Sequence, residues 1–277
     1  MTRPAEPAAK IIHVCASLTS ALPGDVGARA VSLGTYTRRA KLSLLAAAFL
    51  GCTVVIGCGG GSGNGVVGPC SNVVATGSPG LVDDLNHTGA TIPNNDGRQG
   101  EWGTWNDGTG TQTPAGALSD TCLTTNSFEP TNGQACTSGS GFTTSGAGIT
   151  VLVAEGPNCK SCNYDATAYK GGVRFTISGN VTGTVRFVVQ TTEVDDVQFG
   201  GACTDGTKCW DAYGLNLSVT TQPQVVEIPW TSLHQQGWGT PALFDLRHVQ
   251  GLQWNVQKSG STPVSFDNLC IDDVSFY

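Results

Sequence analysis

The amino-acid sequence predicts an all-β protein built as a two-sheet antiparallel β-sandwich. Charged residues make up only 13% of the chain, while Gly, Thr, Ser, Asn and Val are abundant. Long runs of the helix formers Ala, Leu, Glu and Lys are absent after residue 58. Short segments of alternating apolar and polar residues recur between turn-forming Gly, Asn, Asp and Pro. Many short strands joined by turn-rich connections are typical of a sandwich.

Eight segments carry this alternation clearly enough to be predicted as strands. The first contains two tryptophans, and the last ends at the carboxyl terminus. A single short helical turn is expected around 230–235. The predicted strands are 101–106, 147–154, 172–178, 184–191, 213–219, 224–230, 249–257 and 268–276.

The segment 38–58 has the order of residues found in a bacterial export signal. Basic residues at 38–41 are followed by an apolar run and then by Val-Ile-Gly before Cys58. It resembles a lipoprotein signal, which implies cleavage before Cys58, a lipid on that cysteine, and a place in the cell envelope. Cys52 offers a second cleavage site. A transmembrane anchor is the alternative, but the apolar run 42–57 is shorter than the roughly 20 residues that spanning requires.

The chain therefore divides into three parts. Residues 1–57 are an extension and signal peptide, and Val31 is an alternative start that would give the signal an ordinary length. Residues 58–80 are rich in Gly and Ser and are expected to form a flexible tether. The folded domain is expected at 81–277, a length that suits one sandwich.

The net charge of the chain after Cys58 limits the kinds of partner that it can bind. Eight basic and 19 acidic residues follow Cys58. A domain this acidic repels nucleic acid and anionic surfaces, so membrane contact is expected through the lipid alone. Neither the oligomeric state nor the side of the membrane that the domain faces follows from the sequence.

Eight cysteines follow Cys58, and an even number in an exported protein indicates disulfides. Cys203 and Cys209 flank the turn-like sequence TDGTK and are the expected local pair. The Cys-Lys-Ser-Cys motif at 159–162 matches a redox or zinc motif, but no second such motif and no nearby histidine accompanies it. Cys159 and Cys162 are therefore also expected to form structural disulfides.

Four segments together resemble a known family. They are LVDDLN, NNDGRQGEWGTWNDGTGTQTP, YDATAYKGGVRFTISG and FDNLCIDDVSFY, and they span nearly all of 81–277. The order is similar to that of carbohydrate-binding modules with the galactose-binding-like jelly-roll fold, in exported lipoproteins of myxobacterial type. The resemblance implies a jelly-roll sandwich that binds a polysaccharide on one face. It also implies a structural calcium ion between the first and last strands.

The calcium site would use oxygen ligands from both ends of the domain. Ca²⁺ takes six to eight oxygens, so distant acidic segments must meet. Asp84, Asn86 and Asp272 would meet if the terminal strands pair, and Asp273 would then point the other way. Since the family usually has Glu where this chain has Asn86, one charge is missing. The alternative is that these residues are ordinary surface groups.

The glycan site is expected on the polar sides of three strands. In 172–178, 184–191 and 249–257, alternation separates an apolar face from one with Arg, Gln and Asn. A polar outer face is also what any half-exposed antiparallel sheet shows. Trp102 and Trp105 face opposite ways, and Trp105 is the expected stacking platform. The expected carbohydrate-binding residues are Trp105, Arg174, Arg186, Gln190, Gln253 and Asn255.

Two other functions remain open at the level of sequence. A glycoside hydrolase needs two carboxylates on opposite sides of the bond, and the spacing of Glu101, Asp211 and Glu227 singles out no pair. Common nucleophile and metal-protease motifs are missing from the sequence. A structural or adhesion lipoprotein that binds protein could use the same fold. Non-catalytic binding of a polysaccharide is therefore the expected function.

Overall fold

A computed structural model describes residues 73–114, 130–155, 162–258 and 260–277. The described chain forms thirteen strands in two sheets. The first sheet contains β1 Val73–Val74, β3 Trp102–Asn106, β6 Gly146–Leu152, β7 Tyr164–Asp165, β9 Thr184–Thr191, β10 Tyr213–Leu217 and β12 Val249–Gln257. The second sheet contains β2 Leu81–Asp83, β4 Thr111–Thr113, β5 Ala135–Phe142, β8 Gly172–Val181, β11 Gln224–Pro229 and β13 Val264–Phe276.

Strand pairing is antiparallel throughout, apart from the short parallel contact of β1 with β7. In the first sheet β12 is central, with β9 and β10 on one side and β6 and β3 on the other. In the second sheet the order is β11, β8, β13, β5 and β4, and β2 also pairs with β13. Strands that follow one another along the chain repeatedly lie in different sheets, as in a jelly-roll sandwich. The predicted fold class is confirmed.

The core lies between the two sheets and is rich in aromatic residues. Trp102 stacks on Trp254 with ring centroids 5.9 Å apart, and Phe175 of the second sheet meets Trp254 edge-on at 5.1 Å. Each of these side chains is completely buried. Such aromatic pairs contribute about 0.5–1.5 kcal/mol beyond the area they bury. The core therefore fixes which face of each strand points inward.

All eight predicted strands are present, with ends shifted by a few residues at most sites. The 3-10 turn Trp230–Ser232 occupies the place of the predicted helical turn. The two other described helical segments are the 3-10 turns Val197–Phe199 and Leu246–His248. Within the described residues, no helix has the length and apolar character needed to cross a membrane.

Disulfides connect strands and close one loop. Cys203 and Cys209 are joined, as predicted. Cys136 and Cys270 are also joined and link β5 to β13 across a sequence separation of 134 residues. Cys162, from the Cys-Lys-Ser-Cys motif, is disulfide-bonded as well, which favours a structural role for it. The proposed lipid-bearing Cys58 lies outside the described residues.

Part of the predicted tether packs on the domain. Val73 pairs with Tyr164, and the backbone N–H groups of Thr76 and Gly77 donate to the Asp96 carboxylate. The buried guanidinium of Arg98 donates to the carbonyl oxygens of Pro79 and Leu81 at 2.8 and 2.7 Å. Residues 73–80 are therefore held against the sandwich by hydrogen bonds.

Candidate functional site

Five of the side chains expected to bind carbohydrate lie together on the outer face of the first sheet. Alternation turns Phe187, Leu252 and Trp254 into the core, so their neighbours on β9 and β12 point outward. The pairing of β9 with β12, and of β12 and β3 with β6, places the outward residues in adjacent rows. We call this surface the polar face and define it by Trp105, Arg186, Gln190, Gln253 and Asn255.

Arg174 does not share the polar face, so its predicted grouping with the other five is corrected. It lies on β8 in the second sheet, where its guanidinium is 3.9 Å from the exposed carboxylate of Glu227. β8 and β9 follow one another closely along the chain, but the chain passes from one sheet to the other between them. Alternation gives the face of a strand, but it does not give the sheet to which that strand belongs.

Trp105 is held in place by a hydrogen bond across the sheet. Its indole Nε1 donates to Asn255 Oδ1 at 2.7 Å, and the backbone of Gly148 lies between the two strands. A Cβ atom on Gly148 would come within 2.7 Å of the indole nitrogen and 2.8 Å of Asn255 Oδ1. Glycine at this position therefore permits the bond. The indole ring is half-buried, so part of it remains open for stacking.

Two amide side chains of the face, Gln190 and Gln253, are only 7% and 8% exposed, but each keeps a hydrogen-bonding group that reaches solvent. Gln190 makes no side-chain hydrogen bond with the described residues, and its amide atoms are not sealed from solvent. Gln253 uses its carbonyl oxygen, which accepts from Asn255 Nδ2 at 3.2 Å, while its amide nitrogen is open. Gly251 lies beside Gln190 in the sheet, where a side chain would crowd Gln190 Oε1.

Arg186 provides a positive charge on this face. Its side chain is 2% exposed; the guanidinium donates to Asn216 Oδ1 at 3.3 Å and to the carbonyl oxygen of His234. None of the ion pairs among the described residues involves Arg186. Burial lowers the pKa of Arg186, and the charge of Asp211 opposes that shift. Its guanidinium nevertheless remains charged at neutral pH.

An exposed tryptophan lies on a loop above one end of the polar face. Asp211 holds this loop by accepting the backbone N–H groups of Gln236, Gly237 and Gly239. Gln236 in turn donates to Gln257 at the end of β12, at 3.2 Å. Trp238 donates to Gln236 Oε1 and is 52% exposed. Trp238 is therefore a residue of the rim, and Trp210 is partly exposed as well.

A pair of acidic groups lies at the other end of the face. Glu101 directly precedes β3, and its carbonyl oxygen accepts from the backbone N–H of Leu152. Leu152 pairs with Gly251, which in turn pairs with Gln190, so Glu101 and Gln190 lie in one row across the sheet. Its side chain is 9% exposed, and Oε1 is sealed from solvent with no hydrogen-bond partner among the described residues. Burial raises the pKa of Glu101 to about 7, and the charge of Glu155 adds to the rise.

The residues predicted to hold calcium are drawn together by pairing of the terminal strands. β2 pairs with β13 through Asp83 and Val274, which confirms that pairing. Burial raises the pKa of Asp272, and the nearby charges of Asp273 and then Asp84 contribute. The Asn86 side chain lies near Gly133 on the neighbouring loop. Two close carboxyl groups suit a cation, and calcium at this position stays a prediction.

A second polar group on the surface was not predicted from the sequence. Glu193, Asp245 and His248 offer ligand atoms that all lie within 4.8 Å of one another. The signal that could have identified the group is Asp-x-x-His at 245–248, but its partner Glu193 is about fifty residues away and is brought close only by folding.

Comparisons with known proteins identify similar solved structures. The chain is similar to the family 11 carbohydrate-binding module of a cellulosomal cellulase of Clostridium thermocellum, with 10% identity, 71% of this chain and 92% of that chain covered, and a TM-score of 0.37. It is also similar to the Clostridium thermocellum family 11 module in complex with a β-1,3-1,4-mixed-linked tetrasaccharide, with 12% identity, 69% and 93% covered, and a TM-score of 0.34. No family model matches the chain, and no curated protein does.

Because both TM-scores lie below 0.5, these likenesses carry no argument about the site.

Proposed function

We propose that the protein is an exported lipoprotein that binds a polysaccharide without cleaving it, through the polar face of the first sheet. The observation that carries this proposal is the pair of open amides at Gln190 and Gln253, beside the fixed indole of Trp105. Sugar rings present apolar C–H faces that stack on aromatic rings, and hydroxyl groups that pair with amides and guanidinium groups. Side chains held in place before binding lose little entropy when a ligand arrives.

Arg186 adds a fixed positive charge beneath this surface. Its guanidinium is held by Asn216 and His234 and is only 2% exposed, so it supports the face by its charge and by fixing its neighbours. Trp238 lies on the loop that reaches Gln257 and provides a second exposed aromatic surface. A chain of several sugar units, rather than a single sugar, would use both the indole of Trp105 and the rim.

The remaining parts of the proposal rest on the sequence. The basic residues, apolar run and Val-Ile-Gly before Cys58 support a lipid anchor in the cell envelope. Residues 58–72 would then act as the spacer between lipid and domain. A calcium ion held by Asp84, Asn86 and Asp272 would support the sandwich by joining β2 to β13.

Binding is tested with the purified mature chain against a panel of soluble glucans, xylans and mannans, by affinity electrophoresis followed by calorimetry. Gln190→Ala is the sharpest variant, because that amide makes no hydrogen bond with the described residues whose loss would disturb the fold. One neutral hydrogen bond contributes about 0.5–1.5 kcal/mol, so the affinity should fall by roughly two- to ten-fold. Gln253→Ala should act similarly.

Arg174→Ala is the matched control, since Arg174 lies on the opposite sheet in a solvent-exposed ion pair. It should leave the affinity unchanged. If Gln190→Ala and Gln253→Ala both bind a confirmed polysaccharide as tightly as the parent, the polar face is not the site. A weakening by Arg174→Ala equal to theirs would have the same consequence.

Hydrolysis is the second candidate function, and the acidic pair at the edge of the polar face favours it. A carboxyl group with a pKa near 7 beside another carboxylate is the arrangement used by acid catalysts of glycoside hydrolysis. Glu101 Oε1, however, is sealed from solvent, so a substrate cannot reach it in this structure. Release of reducing ends from a bound polysaccharide, lost in Glu101→Gln, would favour hydrolysis over simple binding.

A further inference from the structure

The group formed by Glu193, Asp245 and His248 lies where two turns meet. Glu193 is in the turn that follows β9, and Asp245 and His248 flank the 3-10 turn that leads into β12. The two turns are brought together because β9 and β12 pair, beginning with Thr191 opposite Val249. The side chains are between 22% and 33% exposed, so a small ion can reach them from solvent.

The distances suit a shared cation. His248 Nδ1 is 2.5 Å from Glu193 Oε1 and 3.8 Å from Asp245 Oδ2. Ligands of a tetrahedral zinc ion lie about 2.0–2.1 Å from the metal and therefore about 3.3 Å from one another. Small side-chain rotations would bring all three atoms to that spacing. An imidazole combined with two carboxylates is a ligand set for Zn²⁺ and similar ions, whereas Ca²⁺ prefers oxygen ligands alone.

Two carboxyl groups in the turn after β9 carry an oxygen atom without a hydrogen-bond partner among the described residues, and one of them belongs to the group itself. Glu193 Oε2 is sealed from solvent and has no hydrogen-bond partner among the described residues. The same is true of Oδ1 of Asp195, a side chain only 3% exposed. Buried carboxylates normally have a hydrogen-bond donor or a cation beside them.

Among the described residues, Arg247 is the permanent cation that forms an ion pair with this group. Its Nε donates to Asp245 Oδ1 at 2.9 Å, and Nη2 contacts Oδ2. One guanidinium therefore faces the carboxylates of Asp245 and Glu193. A divalent ion would offset the remaining negative charge, while Arg247 would stay on Asp245 as a hydrogen-bond donor to a ligand, a common arrangement around metal sites.

We propose that Glu193, Asp245 and His248 form a binding site for a divalent transition-metal ion of the Zn²⁺ type. The metal ties the turn after β9 to the turn before β12. The cysteines of the Cys203–Cys209 bridge flank the loop that follows, and Cys203 N donates to Asp195 O at 3.0 Å. The site is distinct from the predicted calcium site at the terminal strands, and it is complete without a bound glycan.

The test uses the full mature chain after treatment with chelator. Titration with Zn²⁺ in a calorimeter should show saturable binding of one ion per chain, and Zn²⁺ should raise the melting temperature. Co²⁺ should give visible absorption bands that report nitrogen and oxygen ligands. Ca²⁺ should not compete. His248→Ala should weaken Zn²⁺ binding by more than about ten-fold and abolish the Co²⁺ spectrum.

Glu193→Gln supplies a second variant that keeps the side-chain volume, and it should weaken binding similarly. His234→Ala is the matched control, because His234 lies on a different loop and its ring contacts only the carbonyl oxygen of Ser232. Absence of saturable binding to the parent overturns the proposal. The proposal is also overturned if His248→Ala and Glu193→Gln bind Zn²⁺ as tightly as the parent. His248 would then serve only as an ion-pair partner of Glu193.

Discussion

Replacement of Glu101 by Gln should change how the stability of the protein depends on pH. Glu101 is 9% exposed, Oε1 has no hydrogen-bond partner among the described residues, and Glu155 is a like charge nearby. These surroundings disfavour the ionised carboxylate. The folded state therefore holds the proton up to about pH 7, whereas the ordinary value in the unfolded chain is 4.5.

The sign and size of the effect follow from this difference. A raised pKa in the folded state contributes stability that is fully present below the unfolded pKa and is lost as the pH rises through the folded one. With values of 4.5 and about 7, the free energy of unfolding should fall by about 2.5 kcal/mol between pH 5 and pH 8 on account of Glu101 alone. Glu101→Gln has no charge there and should lack that fall.

The measurement is denaturant unfolding of parent and variant at pH 5 and pH 8. Burying a glutamine amide at position 101 has its own cost in unfolding free energy, but that cost is the same at both pH values. It cancels when the difference between parent and variant at pH 5 is compared with the difference at pH 8. In thermal unfolding, the melting-temperature difference between the two proteins should change by about 5–10 °C over this range. Glu227→Gln, with an exposed carboxylate on the second sheet, should show no such change. A Glu101→Gln difference that is constant with pH would refute the reasoning.

Three further outcomes are expected. Replacing Cys136 and Cys270 together by Ser should cost about 5 kcal/mol by loop entropy, against about 2 kcal/mol for the short-range bridge, as compared by chemical denaturation; equal losses would show that loop length does not govern the effect. Cys58→Ala should move the protein from the membrane fraction to the soluble exported fraction; retention in the membrane would contradict lipidation at that residue. Chelation of Ca²⁺ should lower the melting temperature of the parent but not of Asp272→Ala, and an unchanged parent curve would leave Asp272 an ordinary surface residue.

Alternation along single strands was enough to predict much of the fold. The strands found in the sequence have apolar residues at every second position, and the core residues of β8, β9 and β12 followed directly. β5 was missed because its sequence ACTSGSGF contains small and polar residues in place of a regular apolar series. The two- and three-residue strands β1, β2, β4 and β7 were too short to show any period.

The sites were harder to predict, because they depend on which strands become neighbours. Arg174 and Arg186 occupy equivalent places in two similar strands, but those strands belong to opposite sheets. Glu193 and His248 lie 55 residues apart and meet only through the pairing of β9 with β12. Glu101 showed no motif at all. Its raised pKa comes from burial and from Glu155, and both are properties of the folded chain.

The pairing of β9 with β12 connects the two proposed sites. The outward residues of these strands, Gln190 on β9 and Gln253 on β12, belong to the polar face. The turns at the ends of the same strands carry Glu193 and His248. Gln190 is three residues from Glu193, so an ion that orders the turn also restrains the end of the strand that presents this amide. The core determines which side chains of both strands point outward. Such an ion would therefore restrict the movement of the Gln190 side chain and would not change the face on which it lies. A Zn²⁺ ion should therefore strengthen polysaccharide binding modestly, and Gln190→Ala should remove more of that gain than Gln253→Ala.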